Sequence, residues 1–156
     1  MYGLVIEKQG IDKILTGEKK VEIRGSKTGI IGESIALLER ESSIIRGFCK
    51  IQGIIPLDED KWEHEKENHC VDISFDELAK HYKTPYGWRL HCVMSCEGKL
   101  TYDYPCGAAI WVDLNETTVK DEDGEPIDSP NPLRQSFKNT IKKMQKERSI
   151  YCCQNG

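Results

Sequence analysis

Leu15-Thr16-Gly17-Glu18-Lys19-Lys20-Val21-Glu22-Ile23-Arg24-Gly25 is the stretch from which the rest of the chain is best read. Upstream of it, Ile11, Ile14 and Leu15 recur at helical spacing, and Gly17 stands where a left-handed residue would end that helix. From Lys19 to Arg24 polar and apolar residues then alternate, which predicts a strand. Side chains along a strand point to opposite faces in turn. Val21 and Ile23 therefore face a core, while Lys20, Glu22 and Arg24 share the other face. Lys19, at the corner between helix and strand, can reach either side. A carboxylate, a guanidinium and an ammonium on one short strand carry chemistry. Arg24 presents a planar fork of donors to a phosphate or a base edge. Glu22, kept ionised by its cationic neighbours, can accept from an exocyclic amine or shuttle a proton. Lys19 is a phosphate contact, or a base or nucleophile where water is partly excluded. An ordinary solvated strand face with cross-strand ion pairs fits the same spacing.

Outward from this stretch the chain reads as short strands with few helices. Leu4-Val5-Ile6, Ile35-Ala36-Leu37-Leu38, 44–55, 86–94 and 107–114 are strand-like, and Gly47 and Gly53 interrupt the strand 44–55 where bulges or bends of a small barrel belong. Ser74 followed by Glu77 is a capping box opening a helix to about Tyr82. The acidic stretch 58–69 reads as exposed and partly helical. No internal repeat of 20–50 residues is present. The fold class expected is α+β: a small mixed β-barrel with short flanking helices and a C-terminal basic helix. Residues 1–114 form the barrel domain, the acidic, turn-rich 115–132 a linker or surface loop, and 133–156 a basic amphipathic helix and tail, with Leu133, Phe137, Ile141 and Met144 on one stripe.

Length and composition narrow the class. One domain's worth of chain, 156 residues, is 38% hydrophobic and 31% charged, which excludes collagen-like and low-complexity sequences. The apolar runs are far too short for a bilayer helix, and no secretory signal opens the chain, so no membrane partner is expected. An odd number of cysteines, 7, at irregular spacing points to reduced thiols and an intracellular location, cytoplasmic or nuclear. His91-Cys92 with Cys96, and His69-Cys70, offer too few paired ligands for zinc; no metal and no cofactor is expected. The net charge of -4 argues against wholesale coating of nucleic acid but leaves room for a local cationic site. Residues 1–52 hold nine basic and seven acidic side chains, 53–80 hold three and nine, and 134–148 hold six basic and one acidic.

The pattern Gly17-x-Lys19-x-x-Glu22-x-Arg24 after a short apolar helix resembles the signature of the ASCH domain family. Weaker likeness follows in the Ile-rich strand with Gly47, in Tyr86-Gly87-Trp88-Arg89-Leu90 and in 107–112, so the resemblance spans about residues 2–114. It implies a PUA-like β-barrel and a function linked to nucleic acid, most often RNA, with the motif lining a cleft between barrel and helix. Some small members look like amidohydrolases acting on acetylated cytidine, and others like ribonucleases or nucleic-acid-binding modules. The motif lysine of the amidohydrolase-like members matches Lys19. Their threonine is replaced here by Glu22, which removes the hydroxyl nucleophile. Their later glutamate corresponds most nearly to Glu67.

The reading that follows is a domain binding RNA, another single-stranded nucleic acid or a modified base. Lys19, Lys20, Glu22, Arg24 and Arg89 are its polar contacts. Trp88, Tyr102 and Tyr104 are its stacking candidates, each base stack being worth about 1–3 kcal/mol. On this reading, removing Lys19 and Arg24 together abolishes binding and leaves stability nearly unchanged. Two alternatives stand beside it. One is a hydrolase of a modified nucleoside or of RNA, with Lys19, Glu22 and Glu67 catalytic. The other is a protein-interaction module presenting 58–69 and the tail helix. The oligomeric state is not legible.

Overall fold

The computed structural model describes residues 1–107 and 110–127. The apolar stripe of 133–148, the tail after it and the last residues of the 115–132 loop lie outside the described residues.

Two strands with apolar residues in unbroken succession lie at the centre. β1 (Tyr2–Ile6) and β3 (Ser34–Glu39) pair in parallel, Leu4 opposite Leu37 and Val5 opposite Leu38. Both of their faces are covered, which is why the sequence runs apolar instead of alternating. Leu4, Ile6, Ile35 and Leu37 join one core cluster, and Val5, Ala36 and Leu38 join another. α1 (Lys8–Thr16) buries Ile11 and Ile14 in the first cluster and ends at the left-handed Gly17 (φ 81°), as its sequence predicts. Arg46 ties that helix to the sheet, bonding Asp12 of α1 and Glu39 of β3 at 2.6 Å each.

The remaining strands are β2 (Val21–Arg24), β4 (Ile44–Pro56), β5 (Tyr86–Tyr102), β6 (Trp111–Asp113) and β7 (Val119–Lys120). They complete a seven-stranded sheet in the order β2-β5-β4-β3-β1-β6, with β7 beside β5. No ladder joins the two ends, β2 and β6, among the described residues. β4 and β5 are long, and their ladder slips between Ile45 and Gly47, between Phe48 and Cys49 and between Ile51 and Gly53. Two of the three shifts fall at Gly47 and Gly53, the glycines expected to bend the strand. The strand expected over 107–114 is shorter, Trp111–Asp113, because Cys106-Gly107 is a turn. Within the stretch expected as linker or surface loop, Val119 is buried against the second core and β7 pairs with Thr101 and Tyr102.

A third cluster lies under β2. Val21, Ile23 and Leu57 pack on Trp62 of α2 (Glu59–His64) and Leu78 of α4 (Phe75–His81). Both halves of the capping box at the start of α4 are present, Ser74 Oγ accepting from the Glu77 amide and Glu77 Oε2 accepting from the Ser74 amide. The acidic stretch 58–69 is not simply exposed. It folds as α2 and α3 (Lys66–His69) because Trp62, Glu65 and His69 turn inward. No helix among the described residues is long and apolar enough to cross a membrane.

Gly47 sits where a side chain has no room: an added Cβ would lie 2.5 Å from the Met94 carbonyl oxygen and 2.7 Å from Leu15 Cδ2. Gly47→Ala should therefore lower unfolding free energy by about 1–3 kcal/mol in urea titrations, the cost of overpacking a rigid core.

Candidate functional site

Glu22 occupies the middle of a buried ionic trio. Its Oε2 lies 3.3 Å from Lys19 Nζ and its Oε1 lies 3.1 Å from Arg24 Nη2, and all three side chains are nearly closed off from water. Each member is placed by a different piece of chain. The left-handed turn at Gly17 throws Lys19 off the end of α1, where its ammonium donates to the His69 carbonyl at 2.9 Å. Glu22 and Arg24 share a face of β2, two residues apart. Arg24 Nη2 also donates to the Val5 carbonyl on β1 (3.0 Å), and its guanidinium lies 5.9 Å from the centre of the Trp88 ring. Both cations have the one carboxylate as partner, and the net positive charge that remains is met in part by the His69 and Val5 carbonyls.

Two adjoining hollows open over this trio and share Lys19, Glu22, Ile23 and Tyr82. The smaller, about 260 Å³, is polar and adds Arg24, Arg40 and Glu7. The larger, about 510 Å³, adds the apolar Val71, Ile73 and Leu78 with His81 at its edge. Its volume falls within the range of small-molecule sites, roughly 300–1,000 Å³. Among the described residues lining the two, Tyr82 brings the one hydroxyl.

His69 forms the wall behind Lys19. Its ring stacks on Trp62 (centroids 3.7 Å apart), Nδ1 accepts from the Val71 amide and Nε2 donates to the Trp62 carbonyl, each at 3.0 Å. That pattern fixes the neutral tautomer with the proton on Nε2. Burial pushes the ring below the usual histidine range, the Trp62 carbonyl works in the opposite direction, and the Lys19 ammonium lowers it further.

Lys19, Glu22 and Arg24 thus come together as the motif predicts, whereas the other expected site residues do not. Lys20 is exposed, its backbone amide spent on the Asn68 carbonyl. Arg89 points toward α2 and α3 and pairs with Glu65 Oε1 at 2.9 Å. Trp88 is 1% exposed, with its indole N–H on the Ser26 carbonyl and its ring stacked on Trp111, so no face is open to a base. Tyr102 is equally buried on the far face of the sheet, where burial pushes its hydroxyl up to about 12, and Tyr104 packs against the same cluster. Glu67 is exposed on α3 and lines neither hollow. Cys49, in the core and within electrostatic reach of Glu22, is held as a neutral thiol by burial, its pKa pushed up to about 12. The sequence reading missed Arg40 and Tyr82. Neither carries a local signal: Arg40 reads as part of the turn Glu39-Arg40-Glu41-Ser42, and Tyr82 as the end of a helix.

No protein-family profile matches the chain, and no curated protein does. Among solved structures, the crystal structure of ASCH from Zymomonas mobilis is similar at a TM-score of 0.49 and 15% identity, covering 60% of this chain and 68% of that one. Two single-substitution variants of the same protein, serine to alanine and tyrosine to phenylalanine, match at the same score and identity over 69% and 70% of their length. These structures belong to the domain family that the Gly17–Arg24 motif resembles.

The trio changes one expectation: Lys19 and Arg24 cannot be removed without cost, because Glu22 would be left buried without a counter-charge. The converse change is equally informative. Glu22→Gln leaves two cations facing each other and should cost about 3 kcal/mol in urea denaturation at pH 7. The buried neutral His69 gives a pH dependence of known sign. The unfolded chain takes up a proton near pH 6.5 that the folded chain resists, so stability is fully present above that pH and falls as the solution is acidified through it. Urea midpoints from pH 7.5 to 5 should decline, and the His69 ring should titrate below 6.5 by NMR.

Proposed function

We propose that this chain is an ASCH-like domain that binds RNA or another single-stranded nucleic acid, including a modified base, in the cleft over Lys19, Glu22 and Arg24. The observation that carries the reading is a buried carboxylate held between two cations at the junction of a polar hollow and an apolar one. A nucleotide has the same division. Its base is flat, largely apolar on its faces and polar at its edge, and its phosphate is anionic. Glu22, fixed from both sides, accepts from a base donor such as an exocyclic amine. Tyr82 replaces the expected tryptophan and tyrosines as the aromatic wall on which a base stacks. The motif's resemblance to ASCH domains points the same way.

The hydrolase reading draws less support. Glu67 stands outside the cleft, the hydroxyl nucleophile of the amidohydrolase-like members is absent, and the Lys19 ammonium is already engaged by Glu22 and the His69 carbonyl. The interaction-module reading loses part of its surface, since the 58–69 stretch spends Trp62, Glu65 and His69 on the interior.

Arg24→Lys tests the assignment without stripping Glu22 of its charge partners. Fluorescence anisotropy with a labelled single-stranded RNA should show binding that weakens with salt, and roughly tenfold weaker binding for the variant because the planar fork is lost. Equal affinity in variant and wild type, with melting temperatures matched, would remove the cleft from the binding surface. Turnover of acylated nucleosides, followed by mass spectrometry, would favour the hydrolase instead.

A further inference from the structure

Arg40 gives the smaller hollow a second guanidinium, and it arrives from a distant part of the chain. It directly follows β3, and its backbone amide donates to the Ile6 carbonyl at 2.9 Å, which fixes it beside the start of α1. Its Nε lies 2.6 Å from Glu7 Oε1, an ion-pair distance without hydrogen-bond alignment, so that Nε is buried without a hydrogen-bond partner and neither terminal nitrogen has a partner among the described residues. Arg24, on the same hollow, spends Nη2 on Glu22 and the Val5 carbonyl. Its Nη1 is unengaged among the described residues, and its Nε is buried without a partner. Lys19 adds a third cation to the lining, and Gly10, in the first turn of α1, adds bare backbone. That turn has no acidic residue, and Glu7, at the N-cap, makes no side-chain capping bond.

We propose that the smaller hollow is a phosphate subsite. It takes the phosphate of a nucleotide between Arg24 and Arg40 while the base lies in the larger hollow along Tyr82. The inference rests on the preceding reading that the cleft holds nucleic acid, and it adds which half of the cleft takes which half of the nucleotide. Unspent guanidinium donors on two residues suit the several oxygens of a phosphate, which a nucleoside lacks. Glu7 is the anion that already sits on Arg40. Its side chain is 72% exposed, so it is free to swing into water when a phosphate arrives. Three cations face two carboxylates around this hollow, and displacing Glu7 leaves a net excess of positive charge for the ligand.

The test uses the full chain and isothermal titration with the four common ribonucleosides, their 5′-monophosphates and inorganic phosphate. Monophosphates should bind at least about tenfold more tightly than the matching nucleosides, tenfold being the worth of roughly one charge-assisted hydrogen bond. Inorganic phosphate should compete with them. In Arg40→Gln the gap between nucleotide and nucleoside should close, and in Glu7→Gln it should persist or widen. Equal affinity for nucleoside and monophosphate in the wild type, or a gap that survives in Arg40→Gln, overturns the subsite and leaves the cleft reading intact. If no monomer binds, Arg40→Gln is read on the RNA oligonucleotide: a shallower salt dependence supports the subsite and an unchanged one overturns it. A chain that binds neither monomers nor RNA overturns both readings. Arg40→Asn, with the same loss of charge on a shorter stem, guards against a glutamine that reaches the phosphate itself.

Discussion

The carboxylate of Glu22 organises this end of the molecule. A charge taken out of water is costly unless partners stand at contact distance and the leftover donors and acceptors are also met. Here the partners are supplied by four separate segments: the turn after α1, the far end of β2, the carbonyl of Val5 on β1 and the carbonyl of His69 on α3. Satisfying one carboxylate therefore joins the sheet edge, the first helix and the helical insertion. The two hollows lie above that junction, which makes the charge arrangement and the shape of the cleft parts of one construction.

The helical insertion owes its place to a second polar arrangement. His69 is fully buried, yet both ring nitrogens have partners and its face is covered by Trp62. The Trp62 indole N–H in turn reaches the Ile73 carbonyl. With every polar atom of the pair engaged, the ring is rigid and neutral, and the His69 carbonyl is aimed at Lys19. A buried histidine that orients a backbone acceptor contributes to the site without any role for its own ring chemistry.

Aromatic residues show the limit of reading faces from alternation. Trp88 falls in the strand-like stretch 86–94 and Tyr102 beyond it, and the structure buries each in a core cluster on β5. Alternation assigns a face but not what covers it. Since the central strands are buried on both sides, the positions that looked free for a base are interior, while the exposed wall falls to Tyr82 from a loop-flanking position. Trp88 still serves the cleft from beneath, as the surface against which Arg24 rests.

Local grammar was enough for the helix that ends at Gly17, the capping box at Ser74, the bend glycines of β4 and the gathering of Lys19, Glu22 and Arg24. Each depends on hydrogen bonds or side-chain directions within a few residues, and such interactions are written in adjacent letters. The arrival of Arg40 at the same hollow, the inward turn of Glu65 and the exposure of Glu67 were settled only by packing. They depend on which strands pair and which helix lies across them, and contacts between residues tens of positions apart leave no periodicity in a single sequence.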